Sequence, residues 1–146
     1  MNLKISPLPY GLTIGRVPRE SASSPAFAGF HASAVDKCAK EDKFFSLTLT
    51  RDEISLVFPT EKEDDSEESS SSLFSDLSPG WRAFRVVGQL DFALVGILSR
   101  LSGVLASAGV SLFAVSTFDT DYVLVKEEQW EKCLQVLDEN GIKQEL

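Results

Sequence analysis

An α+β fold, with its elements in the order β-α-β-β-α-β, is what residues 81–146 predict, on three observations. Apolar residues recur three or four apart from Leu94 through Leu98, Leu101 and Leu105 to Ala108, the single greasy stripe of an amphipathic helix. Val110–Ser116 and Tyr122–Val125 are β-branched and aromatic runs divided by a polar joint, the pattern of two paired strands. Trp130, Cys133, Leu134 and Leu137 then repeat the helical spacing within 127–139. A leading strand at 81–87 and a last one at Ile142–Leu146 complete the order. With both helices on one face of an antiparallel sheet, this is the ferredoxin-like plan.

Taken from the start, LKISPLPYGLTIGRV reads as extended chain, with Leu8, Tyr10, Leu12 and Ile14 alternating on one face. Pro7 and Pro9 confine its early part to a sheet edge or an irregular entry. Residues 19–30 are small, polar and punctuated by proline and glycine, which predicts a loop, followed by a short helix from Ala32 to Lys40. Residues 44–50 and 54–59 read as two strands joined by TRDE, where Thr50 and Glu53 have the spacing of a capping box or of a plain local turn. The first half thus resembles a trimmed copy of the second.

Residues 61–68 carry six acids and one lysine, and Ser69–Ser72 follow. Such a run buries too little apolar area to offset its ordering entropy, so 61–79 is expected to be a disordered linker. Leu73, Phe74 and Leu77 are expected to add only weak docking. The predicted division is a partial half at 1–60, the linker at 61–79 and a complete unit at 80–146. Within that unit Asp91 is placed to cap the first helix, because its carboxylate can accept from free amides of the first turn. Gly109 ends that helix and Asn140-Gly141 ends the next. Acids at Glu127, Glu128 and Glu131 suit the second helix's positive N-terminus.

The net charge of −8 is placed mostly in the acidic run, which leaves no basic face to displace phosphate counterions and excludes nucleic acid as a partner. No apolar run approaches the roughly 20 residues of a membrane helix, so no membrane association is expected. The opening MNLKISPLPY lacks the charged-then-apolar plan of a secretion signal, and Cys38 and Cys133 stand far apart without a partnered motif. Both point to a reducing, cytoplasmic setting.

Nothing in the chain assembles a catalytic constellation. His31 is the single histidine, and with Cys38 seven residues on it lacks the surroundings of a nucleophile pair. No His, Cys, Asp and Glu cluster has metal-ligand spacing in a structured segment, no glycine loop can cradle a phosphate, and no cofactor is expected. Binding chemistry is better supplied. A loop at 88–92 leads into a helix N-terminus, whose free amides and positive dipole end attract a carboxylate. The joint STFDTD adds exposed backbone groups together with Asp119 and Asp121. A free amino acid needs both, donors for its carboxylate and an acceptor for its ammonium or basic side chain. Each residue also has a plainer role open to it: Asp91 a helix cap, Asp119 a turn residue, Phe118 a core filler.

These joints also carry a resemblance. Leu90, Phe92, Gly96 and Ile97, then Ser116, Thr117, Phe118, Asp121, Leu124 and Val125, match the pattern Leu-x-Phe-x-x-x-Gly-Ile … Ser-Thr-Phe/Tyr-x-x-Asp-x-x-Leu-Val. That pattern resembles the ACT domain, in the branch found in small two-part bacterial proteins and in the cytosolic arginine sensors of animals. The match is specific over 81–139 and loose over 1–60. The resemblance implies a non-catalytic sensor that binds a free amino acid, a cationic one among the options, between two ACT-like halves. It implies a ligand-binding set of Asp91, Phe92, Val95, Gly96, Ile97, Thr117, Phe118 and Asp121, and a first-half Thr-x-x-Glu-Ile-Ser segment that would bring Glu53 or Ser55 to the ligand's border. Those sensors have glycine where this chain has Asp91, which adds bulk and charge and leaves the choice of amino acid open. The alternative reading is a ligand-free interaction module that pairs its sheet edge with a protein partner. Because two halves can satisfy each other, a monomer or weak dimer is expected.

Overall fold

Eight strands and three helices are found among residues 3–61, 72–87 and 96–145, the part of the chain that a computed structural model describes. In chain order they are β1 (Lys4–Pro7), β2 (Leu12–Pro18), α1 (Pro25–Glu41), β3 (Ser46–Leu49), β4 (Glu53–Pro59) and β5 (Asp76–Val86). Then come α2 (Ile97–Ser107), β6 (Phe113–Ser116), β7 (Asp121–Lys126), α3 (Trp130–Glu139) and β8 (Lys143–Gln144). They divide into two units, residues 12–80 and residues 1–11 with 81–146.

In the 12–80 unit, β4 runs antiparallel to both β2 and β3, with Val17 opposite Ile54 and Leu47 opposite Leu56. Val17, Ile54 and Leu56 are fully buried and gather Phe27, Phe30, Phe45, Phe58 and Phe74 around them. The helix is longer than the sequence predicts, starting at Pro25 rather than Ala32. Ser24 caps it, its Oγ accepting from the Phe27 N–H at 3.1 Å, and Pro25 fills the first position, where a missing N–H costs nothing. The serines and proline that suggest a loop are in fact the start signal.

Part of the stretch expected to be linker is folded. Residues 62–71 lie outside the described residues, but 72–79 fold. Phe74 stands edge-on to Phe30, with centroids 5.3 Å apart, and covers Gly15 so closely that a Cβ there would come within 2.7 Å of its ring. Only glycine fits beneath it. Ser75 donates its N–H to the Arg16 carbonyl at 2.8 Å, and β5 begins at the next residue. One aromatic side chain seeking apolar area outweighs the polar composition around it.

The other unit has the ferredoxin-like α+β plan. Its central strand β5 pairs antiparallel with β7, Phe84 facing Val123, and β7 pairs with β6. On β5's remaining flank stands β1, with Ile5 opposite Val86, and β8 lies parallel to β1. The sequence reading groups residues 4–7 with the first half. They pair with β5 and β8 instead, a pairing that alternation within one strand cannot reveal. Helices α2 and α3 cover the face formed by Ile5, Phe84, Val86, Val123 and Val125, burying Ile97, Leu101, Leu105, Cys133 and Leu137. Both helices end as the glycines predict. Gly109 and Gly141 have positive φ, and the Val110 and Ile142 amides reach back to the Leu105 and Leu137 carbonyls, each at 2.9 Å. The Arg100 guanidinium donates to the Asn140 carbonyl at 3.0 Å, so a cation of α2 seals the negative end of α3.

Cys133 has no solvent exposure, and burial pushes its thiol up to about 12. A thiol reagent should therefore modify it only when the unit opens, and labelling in mild conditions should follow unfolding rather than reagent concentration. The unfolded thiol releases its proton near 9 and the folded one near 12, so this group's contribution is intact below 9 and shrinks as pH rises towards 12. The urea midpoint should fall less over that range for Cys133→Ala than for the native chain. Equal slopes would show that the thiol does not control the alkaline limb.

Candidate functional site

The turn between β6 and β7 is built by threonines. The Thr117 N–H donates to the Thr120 carbonyl at 2.8 Å, and the Thr120 N–H donates back to Thr117 Oγ1 at 3.3 Å. This hydroxyl turn lets four residues reverse the chain without a glycine. The TRDE joint of the 12–80 unit is the same device: Thr50 Oγ1 accepts from the Glu53 N–H at 3.1 Å, and the Thr50 N–H donates to the Glu53 carbonyl at 2.9 Å. The local-turn reading of Thr50 and Glu53 therefore holds, within a hairpin rather than a helical turn.

Asp121 follows the turn as the first residue of β7, half-buried, opposite Ser116 in the ladder. The Ser116 hydroxyl donates to Asp121 Oδ1 at 2.5 Å, which holds the carboxylate over the hairpin end. Phe118 is no core filler: 78% of it is exposed at the tip of the turn. The residue that sequence reasoning passes over is Thr120. It is buried, and its Oγ1 donates to the Val86 carbonyl at 2.8 Å. The turn is thereby fastened to the end of β5, where the chain leaves towards α2. The Thr-x-x spacing shared with Thr50 is the signal that could have found it.

At the start of α2, Gly96 occupies the N-cap position at φ 84°, with no side-chain capping bond, and the first helical bond runs from the Arg100 N–H to the Gly96 carbonyl at 2.8 Å. Ile97 is buried in the core beside Val86 and Val123. Thus Thr117, Phe118 and Asp121 share one turn, while Gly96 and Ile97 open the helix of the same unit. Asp91, Phe92 and Val95, and with them the cap expected of Asp91, lie outside the described residues; the N-cap of α2 as described is Gly96.

Elsewhere, His31 lies between the rings of Phe27 and Phe45, at 6.1 and 5.9 Å, and Cys38 is a buried thiol raised above its ordinary range, first by desolvation. Among the described residues no group of three or more His, Cys, Asp and Glu could hold a metal ion. No helix among them is long and apolar enough to cross a membrane.

The family profile described as ACT domain matches residues 76–139, which takes in β5, the α2 N-terminus, the threonine turn and α3. Residues 76–139 belong to the ACT domain family. Similarity extends beyond the ACT domain itself. A cytosolic arginine sensor for mTORC1, subunit 1, from Pongo abelii is 33% identical over 125 residues, 84% of this chain and 34% of that protein. Its Homo sapiens counterpart is 35% identical over 97 residues, 64% of this chain and 29% of that protein. The chain spans about a third of the length of the curated relatives it matches. Among solved structures, a protein from Agobacterium tumefaciens aligns over 100% of this chain and 94% of its own, with TM-score 0.74 and 26% identity. The ligand-free regulatory subunit of aspartate kinase from Thermus thermophilus aligns over 92% of this chain and 95% of its own, with TM-score 0.56 and 15% identity, a likeness of fold.

Proposed function

We propose that this protein is a non-catalytic, cytoplasmic regulatory module whose ACT domain binds a free amino acid. The observation that carries the reading is the contrast between the N-termini of α1 and α2. At α1, Ser24 and Pro25 occupy the amide end, one by accepting from it and the other by lacking an N–H. At α2, Gly96 brings no side chain, so the first-turn amides keep their capacity for an external carboxylate. The threonine turn is fastened to the strand that leads to this helix, and it carries the complementary group, the Asp121 carboxylate. One end takes a carboxylate and the other a cation. Gly96, Ile97, Thr117, Phe118 and Asp121 are assigned to this site, with Asp91, Phe92 and Val95 as its further members. The related sensors are named for arginine, which makes a cationic amino acid the first ligand to test.

The test is a thermal-shift screen of the whole chain against the twenty amino acids. One, or a small chemically related group, should raise the melting temperature saturably. Ligand at a hundred times its Kd adds about 2.7 kcal/mol, enough for a shift of several degrees. No response to any amino acid at millimolar concentration would overturn the reading.

A further inference from the structure

We propose that Thr120 is the positioning residue of the amino-acid site, an inference that rests on the reading above. Its side chain touches no surface at which a ligand could sit: it is 8% exposed and, with Thr13, one of two buried polar residues among those described. Every polar group of Thr120 has a use. Its N–H and carbonyl close the turn with Thr117, and its hydroxyl donates to Val86 at 2.8 Å. The first two bonds shape the turn; the third ties the turn itself to the end of β5, one step beyond the Arg85–Tyr122 pair of the ladder. The ladder holds β7 to β5 as far as Tyr122, opposite Arg85, and the Thr120 hydroxyl extends that hold into the turn that carries Thr117, Phe118 and Asp121. The equivalent hairpin of the 12–80 unit shows that the shape does not need this anchor. Its turn closes through the same Thr50 bonds with Glu53 in the fourth position, whose side chain is not a hydroxyl. The threonine at 120 is thus surplus to folding the turn and specific to holding it.

Thr120→Val keeps the shape and removes the hydroxyl, leaving the buried Val86 carbonyl without that donor, whereas Thr120→Ser keeps it. Arginine titrations followed by thermal shift and calorimetry should give an apparent Kd at least about tenfold weaker for Thr120→Val, and within about twofold of native for Thr120→Ser. Amide exchange of the unliganded protein should quicken at 117–121 in Thr120→Val and remain slow at Val123–Val125. A purely structural threonine would lower the melting temperature and leave Kd unchanged, which would overturn the proposal. Where Thr120→Val does not fold, Thr120→Ala makes the same comparison against Thr120→Ser. If the native chain itself ignores every amino acid, the functional reading falls and exchange alone decides the anchor: equal rates at 117–121 in variant and native protein would refute it.

Discussion

Asp121→Ala is expected to remove most or all of the amino-acid-induced rise in melting temperature while the unliganded melt moves only slightly. Two energies separate these effects. The structural one is the Ser116–Asp121 hydrogen bond, a class worth about 1.5–3 kcal/mol when the acceptor is charged and less at an exposed hairpin end such as this. The ligand one is larger, because truncating one member of a desolvated charge pair costs about 2–5 kcal/mol, much of it the penalty of stranding the other charge. That range brackets the roughly 2.7 kcal/mol that ligand at a hundred times Kd supplies, so at the same concentration the shift should fall to about a third or less and vanish at the upper end of the range. Asp121→Asn refines the result. It preserves shape and some hydrogen bonding without charge, so it should behave almost like alanine for a cationic ligand group and much better than alanine for a neutral contact. A variant that melts far below native yet retains a full ligand shift would return Asp121 to a turn role.

The second large effect concerns the core rather than the site. Phe84 is the bulkiest of the fully buried side chains, on the central strand of the ACT domain, with Pro7 on one flank and Val123 on the other. Phe84→Ala should cost about 3–5 kcal/mol, the lost transfer energy of the ring plus the cavity it leaves. Because Trp81 and Trp130 are the chain's two tryptophans and both belong to this unit, their emission during urea unfolding reports on it selectively. A loss of less than about 1 kcal/mol would mean that neighbouring side chains collapse into the space, contrary to a core packed from both helices and three strands.

How much of this was legible in the sequence depends on the range of the forces involved. Helix α2, the β6–β7 hairpin and α3 were legible because apolar spacing and the terminal glycines Gly109 and Gly141 act within a few residues. Two differences come from averaging over composition: by composition Ser24-Pro25 reads as loop material rather than as a cap, and Phe74 is lost among acids and serines. The place of β1 was beyond local reasoning, since its partners on β5 and β8 are fixed by burial of Ile5 against residues from the far end of the chain. In the candidate site the turn itself was foreseen from Ser116, Thr117, Phe118 and Asp121. The inward hydroxyl of Thr120 was not, because a threonine in a polar joint gives no sign of which way it points.

The interleaving of β1 has a consequence for synthesis on the ribosome. The strand emerges long before its partner β8, because the register pairs Lys4 with Lys143. Residues 12–80 hold a core of their own and can close while β1 still waits. The ACT domain cannot close until its last strand has left the exit tunnel, so long-range loop closure is deferred to the end. A waiting strand is a hazard, since its unpaired amides and carbonyls invite foreign partners. Here Pro7 and Pro9 remove two donors from the waiting stretch, and Lys4 brings a charge to its start. The nascent chain thus carries its own protection against premature pairing, in the same few residues that later join the two ends of the domain.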